Sequence, residues 1–159
     1  MSTLAGKTIL MSGGSRGIGL AIALRAAADG ANIAMLAKTD TPHPKLEGTV
    51  HSAAEQIRAA GGQALPIVGD VRDDDDITEA VMKTQGEFGG IDIVINNASV
   101  IDLSRSLDLG AKKYDLMQDV NVRGTFMLSR AAIPILKDAE NPHIPVSYTH
   151  LRAHETKAN

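Results

Sequence analysis

A chain of 159 residues, 43% hydrophobic and 22% charged, is long enough to bury one sizeable core and has the composition of an ordinary globular domain. Its net charge of −3 argues against the basic face of a nucleic-acid binder, and 3% aromatic residues leave few stacking platforms for single strands. The lack of cysteine excludes a disulfide framework and a thiolate metal site. No charged-then-apolar leader opens the chain, and Arg25 and Asp29 interrupt the most apolar long window, 18–37, so no membrane span is expected. A cytoplasmic location is expected, with peroxisome and mitochondrion left open.

Apolar strand-like runs alternate with helical stretches, which predicts an α/β domain with a parallel sheet and helices on both faces. The first strand is expected at about Lys7–Ser12 and the first helix at Gly17–Asp29, closed by Gly30. The near-continuous apolar run Asn32–Ala37 reads as a strand buried on both faces. Pro42 and Pro44 make 38–48 a loop. A helix over Val50–Ala60 ends at Gly61-Gly62, and a third strand spans Ala64–Val68. Asp73–Asp76 then open a helix whose face carries Ile77, Ala80, Val81, Thr84 and Phe88. The four carboxylates read as helix-capping charges and not as a metal site, because a hard cation needs ligands from a shaped loop. A fourth strand is expected at Ile91–Asn96, a short helix at Tyr114–Val120, and a longer one at Asn121–Lys137 that Pro134 bends or ends.

Between the first strand and first helix lies Ser12-Gly13-Gly14-Ser15-Arg16-Gly17-Ile18-Gly19. A glycine-rich turn at a helix N-terminus is an anion site: first-turn N–H groups lack intrahelical partners, and the helix dipole favours negative charge. Gly13 is free to take backbone angles that other residues avoid. Gly17 lets a pyrophosphate approach the main chain, and Gly19 lets helix and sheet pack closely. A triphosphate P-loop is excluded, because Leu20 follows Gly19 where Lys-Ser/Thr is required.

With Ser12 in place of Thr, this spacing resembles the Thr-Gly-x-x-x-Gly-x-Gly motif of the short-chain dehydrogenase/reductase family. Three further stretches carry the resemblance. Asp70-Val71 follows the third strand, where the family places an Asp beside the adenine ring. Asn96-Asn97-Ala98-Ser99 is similar to the family's Asn-Asn-Ala-Gly, and Asp119-Val120-Asn121-Val122-Arg123-Gly124 to its Asn-bearing helix segment. The loop Lys38–Leu46 resembles the hydroxysteroid dehydrogenase-like subfamily. The resemblance covers about Leu4 to Ile144 and implies a Rossmann-type doubly wound sheet, incomplete here, with strand order 3-2-1-4. It implies coenzyme contacts from Ser12, Gly13, Ser15, Arg16, Gly17, Ile18, Gly19, Lys38, Asp70, Val71, Asn97, Ala98 and Ser99. It also implies that Asn121 holds a water of a proton relay.

The implied function is hydride transfer between a nicotinamide coenzyme and an alcohol or carbonyl carbon of a small molecule, within a parent that is a homo-oligomer. Ala37-Lys38 puts a base where NAD enzymes carry an acid, and Arg16 adds a second positive charge, so NADP is expected, with NAD as the alternative. Asp40 lies two residues on and remains a candidate for the ribose.

The chain departs from the family after His143-Ile144. The family's Ser and its Tyr-x-x-x-Lys are absent: Tyr114 is followed by Gln118, Tyr148 by Arg152, and Ser147 stands one position early. No catalytic role is assigned to Ser147, Tyr148 or Arg152. Residues 145–159 read as a foreign tail on a truncated dinucleotide-binding domain, 1–144, as from a frame break or chimeric join. His150 and His154 share a helical spacing but lack a third ligand, so no metal is expected. The alternatives are a non-catalytic nucleotide-binding module and a fragment without function. An open fourth strand would be an aggregation edge, with Ile144–Tyr148 the segment able to cover it and Pro145 unable to donate a ladder bond.

Overall fold

The computed structural model describes residues 3–42 and 48–147. Four strands form one parallel sheet in the order β3-β2-β1-β4, with β1 at Thr8–Ser12, β2 at Asn32–Ala37, β3 at Gln63–Val68 and β4 at Ile93–Asn96. The reversal of strand order falls between β1 and β4, so the loops leaving their carboxyl ends diverge and open a crevice.

Period-two alternation divides the core. Ile9, Met11, Ile33 and Met35 turn to one face, against α1 (Gly17–Ala28) and α2 (Val50–Ala59). Leu10, Ala34, Leu36 and Val94 turn to the other, against α3 (Asp74–Phe88) and α5 (Thr125–Leu136). Burial on both faces explains why β1 and β2 lack the polar alternation of a half-exposed strand. Pro66 is tolerated in β3 because this strand pairs only with β2 and forms the sheet's edge.

The helix starts differ. Thr49 and Ser52 form a reciprocal capping box on α2, and Asp73 accepts from the N–H groups of Asp75 and Asp76 at the start of α3. The four aspartates thus serve the helix end as expected. Arg16, at the N-cap of α1, makes no side-chain cap bond, and the first turn of α1 contains no acidic residue.

Two expectations are corrected in the second half. The helix expected at Tyr114–Val120 begins earlier, as α4 (Ala111–Gln118), and passes without a break through a π-helical turn, Asp119–Gly124, into α5. Pro134 does not end α5, which continues to Leu136. The Cβ that Gly124 lacks would stand 2.9 Å from Val71 Cγ2, so the π turn seats its backbone against the residue after Asp70.

The far side of β4 is covered over a short length. His143 and Val146 bridge in parallel to Ile93 and Asn96, with Val94 N–H donating to the His143 carbonyl at 2.9 Å and Asn96 N–H to the Pro145 carbonyl at 3.0 Å. Ser147 N–H then donates to the Asn96 carbonyl at 2.9 Å. The rung between these bridges needs an N–H at residue 145, and proline has none, so the pairing remains two separate bridges. Tyr148, His150, Arg152 and His154 lie outside the described residues.

Candidate active-site cleft

A cleft of about 820 Å³ lies over the carboxyl ends of the strands. Its volume falls within the range of small-molecule and coenzyme sites. One wall is the β1–α1 turn. Gly13 has φ of +73°, and a Cβ there would come within 2.8 Å of Ala98 Cα. A Cβ on Gly19 would stand 2.4 Å from the Gly13 carbonyl oxygen and 2.5 Å from Asn97 Nδ2. These two glycines let turn and sheet touch. Gly17 is different: its φ is +55°, and nothing lies within 4 Å of where its Cβ would be. The space beside Gly17 is open, at the start of α1.

The ends of β1 and β4 are latched by side chains. Ser12 Oγ accepts from the N–H groups of Asn97 and Ala98, each at 3.1 Å. Asn97 Nδ2 donates to the Gly13 carbonyl at 2.8 Å. Ser12 is buried and shapes the cleft from behind, whereas Ser15, Arg16, Ile18 and Gly19 line it directly. Asn96 Nδ2 donates to Ser129 Oγ at 2.9 Å, which ties β4 to α5.

The end of β2 carries the charge. Arg16 Nη2 donates to Thr39 Oγ1 at 2.7 Å and to the Gly48 carbonyl at 3.3 Å, bringing its guanidinium to the loop after β2. Lys38 Nζ lies 2.9 Å from Asp70 Oδ2. Arg72 reaches the same carboxylate with Nη2 at 2.6 Å and Nε at 2.9 Å. The hydrogen bond from the Arg72 side chain holds the Asp70 carboxyl well below the usual carboxylate range; partial burial opposes this, and Lys38 adds to it. Asp40 turns to His51 at 2.7 Å instead of lining the cleft.

The opposite wall comes from the π turn. Asn121 lines the cleft, and its amide grips the backbone of Val100, Oδ1 accepting from the N–H at 2.9 Å and Nδ2 donating to the carbonyl at 2.8 Å. Leu116, Met117, Val120 and Thr125 complete this side. Tyr114 is exposed on α4 and does not line the cleft.

A strand–glycine turn–helix cradle, latched to an Asn-Asn-Ala segment at the switch point, is matched by the model of the short chain dehydrogenases over residues 7–145. The chain belongs to the short-chain dehydrogenase family. It is 57% identical over 141 residues to hydroxysteroid dehydrogenase-like protein 2 of Homo sapiens and of Bos taurus, an alignment covering 89% of this chain and 34% of each relative. The chain therefore spans about a third of the length of these curated relatives. Among solved structures, a short chain dehydrogenase of Mycobacterium thermoresistibile superposes with a TM-score of 0.91 at 54% identity, covering 96% of this chain and 55% of that one. An NADH-dependent reductase complexed with NAD superposes with a TM-score of 0.73 at 31% identity, over 86% of this chain and 54% of that one.

In this short-chain dehydrogenase domain the cleft is lined by Asn121 and by every residue expected at the coenzyme except Ser12, which is buried behind it, and Gly17, which is exposed. Three features were missed. Arg72 was passed over, although a base two residues after Asp70 is close enough to pair with it. Arg123 donates to the Arg72 carbonyl and to Asp74 Oδ1, each at 2.7 Å, and nothing local in the sequence signals that link. The apolar wall of Leu116, Met117 and Val120 falls within the expected helix Tyr114–Val120, but nothing local in the sequence says that this helix faces the cleft. Ser147, to which no role was assigned, lines the cleft beside Val146. Among the described residues, no group of side chains is arranged to hold a metal ion, and no helix is long and apolar enough to cross a membrane.

Proposed function

We propose that this chain forms the coenzyme-binding half of an NADP(H)-dependent oxidoreductase acting on an alcohol or carbonyl carbon of a small molecule. The observation that carries the reading is the cleft lined by Gly13, Ser15, Arg16, Ile18 and Gly19 at the start of α1, whose N-cap makes no side-chain cap bond and whose first turn holds no acid. Unpartnered first-turn N–H groups without a neighbouring acid fit a pyrophosphate. The bound coenzyme supplies the hydride chemistry.

The chain's own residues bind and orient. Arg16 and Lys38 place two positive charges where a phosphate on the adenosine ribose would sit, and Asp40 is engaged elsewhere. Asp70 and Val71 form the adenine wall, and Asn97, Ala98 and Ser99 the floor. Asn121 is a positioning residue that fixes Val100 above that floor. The proton-handling Tyr and Lys of the family have no counterpart among the described residues, so proton transfer to substrate is assigned to the remainder of a longer parent.

The test is equilibrium titration with NADPH and NADH, followed by their fluorescence. Wild type is expected to favour NADPH. Lys38→Asp is expected to shift the affinity ratio toward NADH by about tenfold, since reversing a charge beside a phosphate is an effect of order 1–2 kcal/mol. An unchanged ratio overturns the NADP reading, and no binding of either coenzyme by folded protein overturns the whole.

A further inference from the structure

The carboxylate of Asp70 sits between two unequal cations at the ends of β2 and β3. Arg72 holds it with a fork, with Nη2 and Nε on Oδ2 at 2.6 and 2.9 Å and Nε also 3.1 Å from Oδ1. The Arg72 backbone N–H adds a bond to Oδ1 at 3.1 Å, so the arginine and aspartate share one tight turn. Arg123 fixes that turn from outside through the Arg72 carbonyl at 2.7 Å. Among the described residues Lys38 has a single contact, Nζ to Oδ2 at 2.9 Å, from a side chain that is 62% exposed. A rigid planar fork outlasts a hydrated point charge on a flexible stem when a new anion arrives. Lys38 is therefore the partner that can leave.

We propose that Asp70 sets the selectivity between coenzymes with and without a phosphate on the adenosine ribose, by competing with that phosphate for Lys38. The proposal rests on the assignment of Lys38 to the ribose end of the cleft. A phosphate arriving at the end of β2 draws the Lys38 ammonium off Asp70. The carboxylate stays, because Arg72 holds it, so the phosphate gains Lys38 only at the cost of the Lys38–Asp70 pair. A coenzyme with a bare ribose leaves the Lys38–Asp70 pair intact. Discrimination is then a difference between two affinities, one of which carries the cost of breaking the Lys38–Asp70 pair. This role differs from the expected contact of Asp70 with the adenine ring, which is the same in both coenzymes.

The experiment is calorimetric titration of the full 159-residue chain with adenosine 2′,5′-bisphosphate and with adenosine 5′-monophosphate, reading the ratio of the two dissociation constants. Asp70→Asn keeps the shape and removes the charge. It is expected to raise the preference for the bisphosphate about fivefold, the size of one partly exposed ion pair. In a Lys38→Met background the same substitution is expected to change the ratio less than twofold. Asp70→Ser gives the same comparison if the Asn variant does not fold. An unchanged ratio on removing the carboxylate, or an equal rise without Lys38, overturns the proposal. The wild-type ratio reports separately on NADP preference: a wild type favouring the monophosphate, with the Asp70 effect present, overturns that preference and leaves the role of Asp70 standing.

Discussion

The side-chain amide of Asn121 mirrors a backbone: it donates to and accepts from the same residue, Val100, at 2.8 and 2.9 Å. The π-helical turn aims this amide across the cleft, and such turns recur at functional positions in helices. Asn121→Ala is expected to release the segment after β4 while costing only about 1 kcal/mol of global stability, because the pair is exposed. Hydrogen exchange at the Val100 amide should accelerate at least severalfold, with coenzyme affinity falling in parallel. Unaltered exchange at Val100 would show that other contacts hold this segment.

The glycines of the first turn should separate by mechanism. Gly19→Ala brings a methyl to 2.4 Å from the Gly13 carbonyl oxygen, so backbone must move. A loss of about 2 kcal/mol or more is expected, the scale of overpacking. Gly17→Ala meets nothing, and its strain is only that of a positive φ, about 1–2 kcal/mol. It should give folded protein with weakened nucleotide affinity, since the added methyl stands where a pyrophosphate would approach the main chain. Thermal melts and NADPH titration of the two variants distinguish these outcomes.

Asp70 should also shape the acid limb of stability. Its folded carboxyl, held by Arg72, lies below its ordinary value of 3.8. A depressed folded pKa contributes stability that is fully present above the unfolded value and lost as pH falls toward the folded one. The melting temperature of wild type should therefore fall as pH drops below about 4, and Asp70→Asn should lose less over the same interval. Parallel curves for the two proteins would remove Asp70 from the acid response.

Pro145 marks the missing rung beside β4. Pro145→Thr supplies an N–H opposite Val94, and its amide should become protected from exchange. The gain of about 1 kcal/mol from the bond is largely offset by the greater freedom of the unfolded chain, so the melting temperature should move by only a few degrees. An unprotected amide at 145 would mean that this edge does not close further. The same edge is where self-association is expected, because the cover of β4 is short. Light scattering at rising concentration should detect aggregation before the thermal transition, and a sharp reversible melt at high concentration would contradict this.

Much of the fold was legible in the sequence. Apolar runs such as Asn32–Ala37 carry their own instruction, because burial on both faces of a parallel sheet tolerates no polar alternation. The order 3-2-1-4 follows from the family's motifs in their places, and the glycine spacing alone marks the cleft's main wall. These are local signals, written in neighbouring residues.

What the tertiary structure decided is what distant segments do once they meet. Ser12, expected at the coenzyme, spends its oxygen on the N–H groups of Asn97 and Ala98. Lys38 and Asp70 become an ion pair only because β2 and β3 lie side by side and end together. The π turn, invisible to a 3.6-residue period, exists where Gly124 must pass Val71. Periodicity fixes which face of an element is buried, but the partner of a polar side chain is set by which strand ends and turns arrive beside it, and that requires the packed sheet.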